Sequence, residues 1–436
     1  MTRAWVTAGI LTLQATLSQA EQLPNAVTHS DFPPTDLELA LLGRDLFFDP
    51  LLSGNLNISC ATCHHPSLAT GDAMSLSIGE GGTALGPDRR VTVRNRPQAR
   101  VPRNASALFN LGAYEFTVLF HDGRAARDAA APFGIRMPAG RDLERPMPTV
   151  LAAQALMPVQ SPDEMAGQPG ENAIADAVAE GRIGGPDGAW AMITARVAAN
   201  PVYAARFAPF LDGRAMHISD IARALAEFET HEFRATDSPF DAYLAGDKDA
   251  LDPAQRRGMD LFYGDAACSS CHSGPFQTDH GFHALGLPQF GPGKDTDGYS
   301  DIGRAYVSGE ETDRYRFRTP SLRNVAETAP YGHNGAYATL EGIVRHHLDP
   351  MASLSAYDRA QVRLASAPGT ADDWRAMDDF DELMRIAESI EIAPVSLTDA
   401  QIADLIAFLG ALTDPASLDG RLGVPETVPS GLPVER

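Results

Sequence analysis

Apolar positions recur at helical spacing in three well-separated stretches of the chain. Asp36 to Phe48 and Pro253 to Tyr263 read as helices, the second opening on Asp252 as a cap with Pro253 in its first turn. Between Ser396 and Leu409, the residues Ile402, Leu405, Ile406 and Leu409 fall on one face and predict an amphipathic helix. Ala4 to Leu17 has a different pattern, mostly apolar but interrupted by Thr7, Thr12, Gln14 and Thr16. With Arg3 before it and Ser18-Gln19-Ala20 after it, it reads as a secretory leader cleaved near Ala20. The stretch is too short and too interrupted for a membrane span, and no later segment offers a long apolar run. Gly71 to Arg103, Gly123 to Pro148, residues 181–188 and Phe282 to Thr319 lack periodicity and are rich in turn formers, so they read as loops. Long loops inside a compact chain are commonly functional, and here they are expected to line the sites described next. Strand patterns are weak throughout, so the expected fold class is mainly α.

The candidate chemistry sits in two copies of one pentapeptide, Cys60-Ala-Thr-Cys63-His64 and Cys268-Ser-Ser-Cys271-His272, which use all four cysteines of the chain. Cys-x-x-Cys-His is the attachment pattern of a c-type haem. On a short helix, residues three apart share a face, so two thiols reach the haem vinyl groups while the adjacent imidazole reaches the iron. Two disulfides, or one zinc site built from both cysteine pairs, are the alternatives. The histidine directly after each pair favours haem. The motifs lie 208 residues apart, which predicts two cytochrome c-like domains joined by long loops, each with one covalent haem. The expected organisation is a leader over 1–20, an N-terminal domain over 21–245, a C-terminal domain over 246–420 and a tail over 421–436.

Charge narrows the partners. The chain carries a formal −22, or −23 once Arg3 leaves with the leader, and haem propionates would add to it. Nucleic acid is therefore excluded as a partner. A locally basic protein partner fits, because opposite fields speed encounter; equally, the acidity serves solubility. The reading is an exported, periplasmic protein with no span in the mature chain.

Four further segments carry a resemblance: Leu46-Phe47-Phe48-Asp49-Pro50, Ser77-Ile78-Gly79, Phe120-His121-Asp122-Gly123-Arg124, and Arg318-Thr319-Pro320-Ser321-Leu322-Arg323-Asn324-Val325. In this order around two haem motifs, they resemble the bacterial dihaem cytochrome c peroxidase superfamily, including its MauG- and MbnH-like members. The resemblance implies that the N-terminal haem reacts with peroxide while the C-terminal haem transfers electrons. It implies distal roles for Gln154 and Glu164, ten residues apart, with Pro158 as a wall that limits ligand approach. A carboxylate raised toward the working pH can take a proton from one peroxide oxygen and return it to the other, and a neutral amide can hold the peroxide. His64, His272 and His347 are the implied iron ligands, with His346 and Met351 as rivals of His347. A possible calcium ion is implied at Asn104, Thr328 and Pro330, in keeping with calcium's preference for hard oxygen ligands.

Departures from the family pattern shape the functional reading. Where reductively activated relatives have a distal histidine, this chain has Glu80, expected to be a solvated loop residue. Haem 1 is then expected to be open when oxidised, since His65, beside the proximal ligand, points elsewhere. His121 replaces a tryptophan between the haems and is expected to hydrogen-bond to a propionate or water, or to be a partly buried loop histidine. Ala266 stands where MauG passes oxidising equivalents to its partner through a tryptophan. Two functions follow from the resemblance: peroxide-driven oxidation of a partner protein, or reduction of hydrogen peroxide with electrons from a small cytochrome c or cupredoxin. A third, from another class, is a dihaem electron carrier without catalysis.

Overall fold

The computed structural model describes residues 23–91, 97–294, 299–365 and 372–436. The expected leader lies outside them. Among the described residues the architecture is mainly helical, with three small antiparallel sheets. Two of the expected helices form as Leu37–Phe48, capped by the Asp36 side chain, and Pro253–Phe262, capped by Asp252. The third runs over Asp399–Gly410, with Thr398 and Gln401 making a reciprocal capping box. Its buried face is Ile402, Leu405, Phe408 and Leu409. Phe408 takes the inner place expected of Ile406, because its ring meets Phe262 and Phe240.

The same packing device occurs twice. In the first half, Leu37–Phe48 crosses the helix Ile218–Glu232 at Gly43, where a β-carbon would fall 1.8 Å from the Ala224 carbonyl oxygen. In the second, Pro253–Phe262 crosses Asp399–Gly410 at Gly258, where a β-carbon would fall 1.9 Å from the Asp404 oxygen. Only glycine permits backbones that close. Beside each crossing two aromatic rings meet, Phe47 with Phe228 at 5.0 Å and Phe262 with Phe408 at 5.2 Å. Each pair lies in its own hydrophobic core, and truncating one of these rings to alanine would cost ~3–5 kcal/mol.

The expected loops carry short ladders. Gly82–Thr83 pairs with Arg90–Val91, and Val118–Leu119, Ala125–Arg127 and Ile135–Arg136 form one three-stranded sheet. Phe282–His283 pairs with Phe317–Arg318. The second core takes in Leu76 from the first half and resumes at Phe240, whose N–H donates to the Ala411 carbonyl. Segment 421–436 returns to the first half. Val428 joins the first core, Ser430 donates to Asp49, and Glu232 accepts the backbone N–H groups of Arg421, Leu422 and Gly423.

Candidate haem sites

Cys60–Cys63 forms one helical turn, and His64 follows it as the C-cap. The His64 Nδ1–H donates to the Thr70 carbonyl at 2.9 Å. In the second motif, the His272 Nδ1–H donates to the Gln277 carbonyl at 3.1 Å. Each bond fixes the tautomer and leaves Nε2 with its lone pair, the form that binds a metal. None of the four cysteines is in a disulfide. Cys60 packs against the first core and Cys268 against the second, which separates the thiols that a single zinc site would need. Burial pushes the Cys60 and Cys268 thiols up to about 12, so neither is a reactive thiolate as it stands.

Across from His272 stands His347. Their ring centres are 6.3 Å apart. Two imidazoles bound to one metal at about 2 Å each place their ring centres roughly that far apart. The His347 Nδ1–H donates to the Ile343 carbonyl at 2.8 Å, again leaving Nε2 free to ligate. The rivals are engaged elsewhere. His346 donates from Nε2 to the Leu285 carbonyl and accepts at Nδ1 from the Tyr337 hydroxyl, both at 2.8 Å, so both its nitrogens are committed. Met351 is 51 % exposed.

On the first motif's side, Gln154, Pro158 and Glu164 lie in three consecutive turns, Val150–Ala155, Pro158–Gln160 and Pro162–Ala166. All three side chains are partly buried. The Gln154 amide oxygen is buried with no hydrogen-bond partner among the described residues, which fits a group that accepts a hydrogen bond from a ligand. Glu164 lies close enough to Cys63 for its charge to act on that thiol.

Glu80 is not a solvated residue. It is 2 % exposed, and its Oε1 accepts from Asn55 Nδ2 at 2.9 Å and Asn57 Nδ2 at 2.6 Å. The solvated expectation failed because it took a glycine-rich loop to be exposed, whereas this loop packs under Glu164. His65 is also buried, with Nδ1 on Ser67 and its ring edge-on to Phe48.

His121 donates from Nε2 to the Asn104 carbonyl at 3.2 Å. Burial, then the neighbouring Arg103, push it down to about 4, so it is neutral at ordinary pH. Asn104 donates from Nδ2 to the Met74 carbonyl, which turns Oδ1 away from that bond. Asn104 and Thr328 line one small polar cavity with Asp72 and Ala329, and Pro330 follows directly. Ala266 is buried, and Trp190 and Trp374 lie in or against the two cores.

Sequence reasoning missed a buried charge cluster between the halves. Arg103 grips Asp301 through two bonds of 2.7 and 2.8 Å and Asp122 at 2.6 Å. Arg124 also pairs with Asp122, and Arg318 joins the same region through the Phe120 carbonyl. Burial lowers Arg318 to about 10. In an acidic chain, this cluster has more cations than carboxylates, as haem propionates would require. The signals in the sequence were the density of arginines at the end of the Gly71–Arg103 loop and the place of Asp122, Arg124 and Arg318 in the segments that carry the resemblance.

A model of di-haem cytochrome c peroxidases matches residues 37–249. The methylamine utilization protein MauG of Methylorubrum extorquens is 31 % identical over 337 residues, covering 77 % of this chain and 75 % of that protein. This chain belongs to the dihaem cytochrome c peroxidase family. The cytochrome c551 peroxidase of Nitrosomonas europaea is 32 % identical over 311 residues, covering 71 % of this chain and 73 % of that one. Among solved structures, a MauG-like protein associated with microbial copper homeostasis superposes with a TM-score of 0.55 at 27 % identity, covering 92 % of this chain and 96 % of that chain. Family membership makes the protein a peroxide-dependent haem oxidoreductase with two haems. The two motif histidines, the His272–His347 spacing and the surplus of buried cations fit such groups. Among the described residues, no helix is long and apolar enough to cross a membrane.

Proposed function

We propose that the protein is an exported, periplasmic enzyme that accepts hydrogen peroxide at the first haem without prior reduction and uses it to oxidise a partner protein. The observation that carries this reading is the fate of position 80. A carboxylate stands where reductively activated relatives are expected to have a histidine, and Asn55 and Asn57 hold it. Covalent haems would be carried by Cys60, Cys63 and His64 and by Cys268, Cys271 and His272, in two cytochrome c-like domains. His64 would hold the first iron, and His272 with His347 the second. A bound haem supplies an iron that exchanges electrons with peroxide.

The chain's own residues do the rest. Glu164 takes the proton from one peroxide oxygen and returns it to the leaving oxygen. Proton transfer by a positioned side chain contributes about 10²–10⁴-fold. Gln154 holds the peroxide by hydrogen bonds, and Pro158 narrows its approach. His121, neutral and bound to Asn104, ties the region between the haems to the candidate calcium site of Asn104, Thr328 and Pro330. Bis-histidine ligation would lower the potential of the second haem relative to a methionine ligand.

The second reading, peroxide reduction with electrons from a small cytochrome c or cupredoxin, is favoured by the likeness to the Nitrosomonas europaea cytochrome c551 peroxidase. The two are separated by mixing the oxidised protein with peroxide, with and without a reduced small cytochrome c. A long-lived oxidised product that the cytochrome barely consumes supports the first reading. Rapid, sustained oxidation of the cytochrome supports the second.

A further inference from the structure

We propose that Arg89, braced by Glu435, is a positioning residue for Glu164. The inference rests on the role given to Glu164 above and adds the device that holds it in place. Arg89 is 3 % exposed and sits 3.5 Å from the Glu435 carboxylate. Its guanidinium donates to three carbonyls of one loop, from Nε to Ile78 at 2.5 Å, Nη2 to Gly79 at 2.7 Å and Nη1 to Ala84 at 2.8 Å. A rigid fork of donors can hold three acceptors at once, whereas a lysine ammonium on a flexible stem holds them without fixed directions.

The loop held in this way presses against the turn that bears Glu164. A β-carbon on Gly79 would fall 2.1 Å from the Asp163 carbonyl oxygen and 2.8 Å from the Glu164 α-carbon. The next N–H, that of Glu80, donates to the Asp163 carbonyl at 3.1 Å. Asn55 and Asn57 fix the Glu80 side chain and so pin the loop from its other side.

The N–H groups of Glu164, Met165 and Ala166 all reach for the single carbonyl of Ser161, at 3.3, 3.1 and 2.9 Å. On the turn's far side, the Gly54 N–H donates to the Met165 carbonyl at 2.8 Å and Asn172 Nδ2 to the Ala166 carbonyl at 3.0 Å, so the Gly79–Glu80 loop is the contact that bears on Asp163 and Glu164.

Glu435 links the clamp to the haem motif. Besides Arg89, its carboxylate accepts from the Thr62 hydroxyl inside the Cys60–Cys63 turn. Through Thr62 the clamp is therefore tied to the turn that carries the two thiols of the first motif. A proton relay works only within hydrogen-bond reach, and a displacement of about 1 Å can cost 10²-fold in rate.

The test compares the holoprotein with its Arg89→Lys and Glu435→Gln variants by amide hydrogen exchange and by stopped-flow reaction with hydrogen peroxide. With two haems per chain retained, R89K is expected to raise exchange in residues 77–84 and 161–167 together by about tenfold or more. Its second-order rate with peroxide is expected to fall about 10–100-fold. E435Q, which leaves the fork in place, moves all three readouts the same way by less. If 77–84 loosens while 161–167 keeps the wild-type exchange, the clamp does not reach Glu164 and the inference is overturned. An unchanged peroxide rate with both segments loosened overturns it as well. A wild-type protein that ignores peroxide would sink the role of Glu164 itself, while the paired exchange rates would still decide whether the clamp exists.

Discussion

In the second half, the residue that faces the motif histidine is another histidine, His347, 6.3 Å away between ring centres. In the first half, the position expected to carry such a ligand is Glu80, and its carboxylate is spent on Asn55 and Asn57. Both halves otherwise repeat one design: a helix crossing at a glycine, an aromatic pair beside it, and a motif histidine with Nδ1 on a backbone carbonyl. Under the proposed function, the shared parts would hold the haems and the divergent parts would decide what reaches each iron. One scaffold would then yield an electron-transfer site and a reaction site through changes in the segments laid over it.

The largest expected effect falls on the reaction side alone. Glu164→Gln should slow the reaction with peroxide by about 10²–10⁴-fold. The spectrum of the second haem should not change. Stopped-flow mixing checks both, and equal perturbation of the two haems would break the comparison.

Next comes the link between the halves. Asp301→Ala leaves Arg103 half-paired in a buried site and should cost about 3–5 kcal/mol in chemical denaturation. On the electron-transfer side, His347→Met should raise the second haem's potential by on the order of 0.1–0.3 V in a redox titration, with the first haem's unchanged. Met351→Ala, by contrast, should change neither potential, as the exposure of Met351 implies.

A smaller effect sharpens the distinction between His346 and its neighbour. Burial pushes His346 down to about 3, and its two bonds suit only the neutral ring. Its folded pKa lies below the unfolded value, so the unfolded state binds more protons between the two. Stability from this group is complete above about pH 6.5 and falls as pH drops toward 3, by about 2 kcal/mol from pH 6.5 to 5. His346→Gln should flatten this slope in melts followed across that range.

The haem motifs were legible because covalent attachment demands fixed residue types at fixed spacing, and three of the four crossing helices because burial imposes a period; the fourth, Ile218–Glu232, was not read from the sequence. Glu80 was misread, since nothing local tells a packed loop from a solvated one. Arg89 and Glu435 are 346 residues apart in the chain. The Arg103–Asp122–Asp301 cluster likewise joins residues from both halves. Contacts of that range leave no period and no short motif. His347 could be named only through the family resemblance; its fitness rests on the ring spacing and the Ile343 bond.

Under the proposed function, one haem is open and the other closed in the oxidised protein. This is tested most directly by the optical and EPR spectra of the as-isolated diferric protein, before and after one equivalent of hydrogen peroxide. The expected result is a high-spin haem beside a low-spin one, and a long-lived oxidised product that forms without prior reduction. Two low-spin haems that ignore peroxide until they are reduced would contradict it.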